Sequence, residues 1–450
     1  MHPRAAAHPR AVPQRGRVPR GQADEPARLG QPAAAAGRPA GGRVGEGVHR
    51  AAVPPLRQGR DRGVRGDVPQ GRRAPQGADR GRPRRRQRGA RRAGQRVTQA
   101  FGGPVVERVR WPATTALDWA AGVFRALGAD EETASAVALA LVAADLAGHA
   151  SHGVRLVATY AHQVSVGELV ASARPRVIGR DGGHTSLSGG FGLGAGTMRH
   201  AVACAAEDAR RHGFATVGLS DLGHVGRLGL YVSQLSAQGL IGILTCGSAF
   251  VPSERVVAPL GGVERVFDTN PWAFGFPAEG GDVVIDMSTS ARSYNAVAAL
   301  AASGGRLPEG VGQDRHGRPC PDPAEVLRSG SLLPAGGAVG YGLALATACL
   351  AALGDGPRAG GVAGGFLVAI DVARRRPVEP YRRHVGEVAD ALRASAPRSP
   401  DLPVRVPGGR GALVRSPAEV SGLIPVDEYV VEQLEETCQR LGLPPVPEPC

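Results

Sequence analysis

Lysine is absent from the 450-residue chain, so all 54 of its Lys+Arg side chains are arginines. That excludes chemistry needing a primary amine, such as a Schiff-base intermediate or the lysine of a phosphate-binding P-loop. No run of 18 apolar residues occurs, and the N-terminus lacks the apolar centre of a secretory signal. Nothing in the sequence therefore argues for membrane insertion or export. The six cysteines, Cys204, Cys246, Cys320, Cys349, Cys438 and Cys450, form no Cys-x-x-Cys pair. Such scatter reads as buried thiols in a reducing, cytoplasmic setting, without a zinc site or disulfide frame.

Aromatic residues are scarce as well, at 4 % of the chain, and residues 1–100 contain no Phe, Trp, Tyr or Ile and only two leucines, Leu29 and Leu56. A segment this poor in apolar surface does not offset the roughly 1–2 kcal/mol of backbone entropy lost per ordered residue. A disordered tail over 1–104 is the expectation. Residues 1–100 hold 24 arginines against six acids, a charge of +18, so the formal +14 of the whole leaves −4 for the other 350 residues. Runs such as Arg82-Pro83-Arg84-Arg85-Arg86 suit phosphates, yet no aromatics are interleaved for base stacking and no RGG regularity exists. Nucleic acid is not the expected partner. The composition resembles GC-rich DNA translated ahead of a true start codon.

From about Val105 the composition becomes that of ordinary globular sequence. An amphipathic stretch over 113–127 is followed by a helical run over 131–146, with Asp130 placed to cap it. Paired glycines close that helix at Gly148-His149-Ala150-Ser151-His152-Gly153 and leave side chains exposed in a turn. A Gly/Asp linker is expected over 179–183. Strands over 185–187, 215–219 and 240–245 then alternate with a glycine loop over 189–196 and helices over 197–212 and 227–238. Further strands are expected over 273–276, 283–285 and 365–370, with helices over 341–353 and 427–441. These short apolar runs predict an α/β fold in which helices cover a mixed sheet. The expected divisions are a helical part over 105–178, an α/β region over 179–375, and a C-terminal segment over 376–450 packing back on the body.

Gly190-x-Gly192-x-x-Ala195, between a strand and a helix, satisfies the loose dinucleotide fingerprint. A chain with 66 glycines makes such matches freely, and Asp221 falls well beyond the usual spacing of about 20 residues for a ribose-binding acid. A tight turn with close helix packing is the simpler reading. Ser151-His152-Gly153 offers an imidazole and a hydroxyl in a post-helix turn, able to exchange a proton near neutral pH. A core or surface histidine is the bland alternative, and His149 would complete a metal pair with no third ligand. His224 precedes a helix whose positive end favours the neutral imidazole, or else it merely caps that helix. Asp286 follows Val283-Val284-Ile285 and precedes Met287-Ser288-Thr289-Ser290. That places a carboxylate among hydroxyls at a strand end, where α/β proteins hold ligands.

Taken together, the chain resembles the malate/L-lactate dehydrogenase family, of the type that includes sulfolactate, ureidoglycolate and diketogulonate oxidoreductases. The matching segments occur in order: Ala144-Asp145-Leu146-Ala147-Gly148-His149-Ala150-Ser151-His152-Gly153-Val154, Gly223-His224-Val225-Gly226, Asp268-Thr269-Asn270-Pro271, Asp286 to Ser290, Leu307-Pro308-Glu309-Gly310, Gly340-Tyr341-Gly342-Leu343 and Val406-Pro407-Gly408. The resemblance implies a non-Rossmann nicotinamide-binding domain plus a helical domain, and a homodimer. It implies NAD or NADP as cofactor and a small 2-hydroxy or 2-keto acid as substrate. His152 would exchange the substrate proton, with Ser151 and Asp286 as its partners and His224 as a second histidine at substrate or nicotinamide. Thr269, Asn270, Ile285, Met287, Ser288, Ser290, Gly408 and Gly409 would contact the cofactor. Two departures stand out. The family's arginine four residues after the motif histidine is Leu156 here: either Arg155, one place earlier, substitutes as the carboxylate grip or the substrate differs. The family's His-Lys pair before Gly-Tyr-Gly is Ala338-Val339. The alternatives are a cyclic imino-acid reductase and a non-catalytic cofactor- or nucleic-acid-binding protein.

Overall fold

A computed structural model describes residues 107–247, 255–353, 364–409 and 413–450; the expected tail over 1–104 lies outside them. Strand β1 (Arg108–Pro112) leads into α1 (Ala113–Ala126) and α2 (Glu131–Leu146). Asp130 caps α2 as expected, its carboxylate accepting from the Thr133 N–H at 2.9 Å. Apolar on every side, α2 is buried along most of its length, as such a helix must be. Helix α3 (Leu156–Ser165) follows a short 3-10 turn at Ala150–His152.

Then come β2 (Arg176–Asp181), β3 (His184–Gly192), α4 (Gly194–His212), β4 (Phe214–Leu222), α5 (Gly229–Ala237), β5 (Leu240–Gly247), β6 (Trp272–Phe276) and β7 (Val283–Met287). Helix α6 (Tyr294–Ala302), β8 (Gly312–Gln313), α7 (Pro323–Arg328) and β9 (Ser331–Leu332) form a small excursion with its own apolar cluster around Val297, Val326 and Leu332. The chain returns through α8 (Ala338–Ala351) and β10 (Gly364–Asp371) and ends with α9 (Val378–Arg393), β11 (Leu423–Asp427) and α10 (Glu428–Leu441).

The main sheet has the order β2-β3-β4-β10-β5-β6-β7. Only β3 and β4 pair in parallel; every other neighbour is antiparallel. The expected mixed sheet is thus present. A Cβ on Gly242 of β5 would meet Val232 and Leu235 of α5, whereas the next-but-two residue, Thr245, shares a hydrogen bond of 2.7 Å with Thr347 of α8. Side chains alternate across a strand, so α5 and α8 cover opposite faces. Separately, β1 pairs antiparallel with β11, tying the first helical layer to the last segment.

Two expectations over 179–196 are corrected. Residues 179–183 are no linker: they finish β2 and turn it back on β3 through Gly182 and Gly183, both at positive φ. All six β2 residues are exposed, which erases the alternation that marks a strand in sequence. The glycine loop expected over 189–196 is no loop either: Gly189–Gly192 continue β3 and Gly194 already opens α4. The cysteine expectation holds for Cys204, Cys246 and Cys438, which are buried; Cys349 and Cys450 are exposed and Cys320 partly so. Cys349 sits on the outward side of α8, where nothing covers it among the described residues. No helix among the described residues is long and apolar enough to cross a membrane.

Candidate functional site

The turn after α2 is built around one carboxylate. Asp145 is 7 % exposed, and the Val154 N–H donates to its Oδ2 at 2.8 Å, across the turn that carries His149, Ser151 and His152. Gly153 is obligatory there, because a Cβ on it would lie 1.8 Å from Asp145 Oδ1. Burial pushes the Asp145 carboxyl up to about 8, so at neutral pH it is mostly protonated. Ser151 Oγ lies 3.0 Å from His152 Nδ1.

His224 arrives from the other side, on the loop between β4 and α5. Backbone approach is close: a Cβ on Gly194 would fall 2.3 Å from the Gly223 oxygen and 2.6 Å from the His224 oxygen. The glycine run that imitates a dinucleotide fingerprint therefore nests this histidine loop against the first turn of α4. Asp221 holds a left-handed conformation at φ 52 just before the loop, its carboxylate accepting from Ser188 Oγ at 2.7 Å.

The rings of His152 and His224 stack with centroids 5.9 Å apart. His152 is partly exposed and His224 is exposed, with protein atoms walling the remainder of each ring. Burial by those walls, aided for His152 by His224, pulls the imidazoles down to about 3 and about 4 respectively. Both are neutral at physiological pH. Behind His224, Tyr160 of α3 places its hydroxyl 2.6 Å from Nδ1.

Asp286 does not meet His152. Its Oδ2 accepts from the Gly229 N–H at 2.8 Å and faces Arg227 Nε at 3.3 Å. Burial raises this carboxyl and Arg227 works against that. Arg227, with 9 % of its side chain exposed, is the link, since its charge also reaches His152. Leu156, at the position of the family arginine, is 6 % exposed and packs in the core. Arg155 precedes it at the N-cap of α3, partly exposed, and its charge bears on both Asp145 and His152.

A cleft of about 390 Å³ is lined by Ala147, His149, Arg227, Asp286, Arg405 and Val406, together with Ile285, Met287, Pro407 and Gly408. Neither His152 nor His224 lines this cleft; His149 and Arg227, which do, act electrostatically on His152. The donor set fits a nicotinamide dinucleotide: Ile285, Met287, Val406 and Pro407 are apolar walls for planar rings, and Arg405 makes no hydrogen bond or ion pair among the described residues and can meet a phosphate. A larger groove of about 770 Å³ runs along α4 and α5, but its arginines are partnered, Arg211 by Glu207, Arg199 by Glu132 and Arg415 by Asp282, and it contains no histidine.

Of the other expected cofactor residues, Asn270 is not part of the cleft lining. Its side chain is fully buried at φ 38, donates to the Ala344 carbonyl at 2.9 Å, and braces the loop against α8. Ser290 is likewise buried, sharing 2.6 Å with Ser288 Oγ and donating to the Arg292 carbonyl. Ser288 Oγ donates to Ser290 Oγ and the Thr269 carbonyl accepts from Thr289 Oγ1 at 2.8 Å, so these hydroxyls shape the loop from within. Gly409 is exposed beyond the lining. Sequence reasoning missed Tyr160, Arg227 and Arg405. Arg227, three residues after His224, was the most findable.

The imidazole pair sits where the turn after α2 meets the loop after β4, and the comparisons place the chain among oxidoreductases. The sequence profile described as malate/L-lactate dehydrogenase matches residues 111–435, and the chain belongs to that family. It is 30 % identical over 333 residues to the malate/(S)-sulfolactate dehydrogenase of Methanothermus fervidus, covering 71 % of this chain and 95 % of that protein. It is also 30 % identical over 321 residues to the ureidoglycolate dehydrogenase (NAD(+)) of Escherichia coli O157:H7, covering 67 % and 88 %. Among solved structures, the delta1-piperideine-2-carboxylate reductase of Pseudomonas syringae superposes with a TM-score of 0.63 at 26 % identity, covering 74 % of this chain and 99 % of that one.

Proposed function

We propose that the chain is an NAD(P)-dependent dehydrogenase interconverting a small 2-hydroxy acid and its 2-keto acid, with His152 as the general acid/base. The observation that carries this reading is the stack of His152 on His224, linked through His149 and Arg227 to a cleft walled by 285–287 and 406–408. A bound nicotinamide supplies the hydride acceptor or donor. The chain's own residues handle proton and charge. In the oxidising direction the hydroxyl O–H breaks toward neutral His152 while C2 gives up its hydrogen with the bonding electron pair, and the C=O bond forms. Ser151 orients the ring through Nδ1. Arg155 makes no hydrogen bond or ion pair among the described residues, so its guanidinium is available to hold the substrate carboxylate. Arg227 adds positive charge and is itself held by Asp286.

Purified protein mixed with NADH or NADPH and a panel of 2-keto acids should consume reduced nicotinamide with at least one of them. No consumption with any acid, in either direction, overturns the proposal. Replacing His152 by Ala should cost at least about 10²-fold in rate. Likeness to the piperideine carboxylate reductase favours a second reading, reduction of a cyclic imino acid at the same site. Faster turnover of a cyclic imine than of pyruvate would select it. The homodimer belongs to the proposal too, supported by the charge-free helix α8, whose Val339, Leu345 and Leu353 neighbourhood is exposed; sedimentation at several concentrations tests it.

A further inference from the structure

Tyr160 takes no part in the function argued so far, yet it touches the site directly. It lies on α3, 5 % exposed, with its ring tilted against Phe124 at 6.2 Å and against His224 at 5.9 Å. Its hydroxyl oxygen is 2.6 Å from His224 Nδ1, and no other hydrogen-bond partner for it exists among the described residues.

A phenol carries one proton, and a neutral imidazole has one N–H and one bare nitrogen. If Nδ1 held the ring proton, it would donate to the tyrosine oxygen and leave the phenolic O–H facing protein without an acceptor. A buried donor left unmade costs about 1–3 kcal/mol. The opposite assignment satisfies both groups: Tyr160 donates to bare Nδ1, and the ring proton sits on Nε2. Burial pushes the Tyr160 hydroxyl well above its ordinary range, so it stays a donor throughout the working pH range. Nε2 is then the only ring nitrogen His224 can turn to a ligand, and it turns it as an N–H.

We propose that Tyr160 is a positioning residue that locks His224 in the Nε2–H tautomer, making His224 a fixed hydrogen-bond donor to the reacting oxygen and leaving proton transfer to His152. The two stacked rings thereby divide the work. His224 meets the oxygen as its negative charge develops. His152 has only a hydroxyl, that of Ser151, at its Nδ1, and a serine can donate or accept. Its tautomer is therefore free to exchange as the proton moves.

The catalytic half of this inference rests on the dehydrogenase reading; the tautomer half does not. Nitrogen-15 spectra of the full chain with labelled histidine should show His224 with a protonated Nε2 and a bare, hydrogen-bonded Nδ1. In Tyr160→Phe, which keeps the ring packing, those two signals should move toward each other as the tautomers mix. The kcat should fall roughly 10- to 30-fold, the loss of about one strong hydrogen bond, with KM changed less than about threefold. In a His224→Gln background the same substitution should cost less than about threefold, because no tautomer remains to be set. Three results would overturn the proposal: a protonated Nδ1 in the parent, unshifted His224 signals in Tyr160→Phe, or a full kcat loss persisting in the His224→Gln background. A parent with no turnover on any acid removes the dehydrogenase reading alone, and the spectra still decide the tautomer.

Discussion

The turn over 149–155 and the loop over 223–229 each deliver one imidazole to the same stack, but they are held in different ways. The first hangs from a polar anchor, the single buried carboxyl of Asp145 bonded to the Val154 N–H. The second is wedged by backbone, with Gly194 admitting the Gly223 and His224 carbonyls, and is pinned at its ends by the Tyr231 hydroxyl donating to the Val225 carbonyl and by Asp286 accepting from the Gly229 N–H. A polar anchor can be relaxed by changing one side chain; a backbone wedge cannot. The two histidines should therefore fail differently when their supports are altered.

The largest effect is expected from Gly153→Ala and Gly194→Ala, each costing at least about 10²-fold in kcat/KM through displacement of a histidine. The comparison sharpens in a second round. Adding Asp145→Ala should recover part of the Gly153→Ala loss, because the offending atoms belong to that side chain, whereas no neighbouring truncation should rescue Gly194→Ala. Equal rescue of both would break the distinction. Next in size, Asp145→Ala alone should destabilise the fold by about 1–3 kcal/mol in a denaturant titration, through the orphaned Val154 N–H.

Asp145→Asn should act chiefly on pH dependence. The folded carboxyl titrates at about 8 against about 3.9 when unfolded. Its contribution to stability is thus complete below about pH 4 and is lost as pH rises toward 8. Thermal melts of the parent should show that decline and those of the Asn variant should lack it. For turnover, imidazoles held at about 3 and about 4 predict an oxidation kcat/KM that stays level as pH falls through 6.5; a step there would show a well-hydrated, ordinary His152. Smallest of all, Arg199→Ala in the larger α4/α5 groove should leave turnover within about twofold, since that groove holds no catalytic group.

Elements with their own local signals were legible in advance. Helix α2 shows its cap at Asp130 and its apolar run, and the strands that became β4, β5, β6, β7 and β10 show short apolar bursts between turn residues. Helices α3, α6, α7 and α9 and strands β1, β2, β8, β9 and β11 were not anticipated. β2 is exposed on both faces and so carries no alternation, while β1 and β11 exist because they pair across the whole body. At the site, His152, Ser151 and His224 were readable from their turns, but their supports were not: Tyr160 looks like any core aromatic on an amphipathic helix, and Arg227 like a helix-start surface charge. Asn270 and Ser290 brace their loops through internal hydrogen bonds, and a polar residue in a loop reads the same in sequence whether it faces a ligand or braces the loop from below.

The sequence by itself determined the helix starts, the strand-forming bursts, the family and the residue types able to exchange a proton, since these depend on near neighbours and on ordered motifs. Only the tertiary structure decided that the glycine run serves a histidine loop and not a phosphate, that Asp286 answers to Arg227, and that a tyrosine from α3 reaches His224. Those outcomes rest on contacts between residues tens of positions apart, where burial and backbone approach set the chemistry and no local pattern records it.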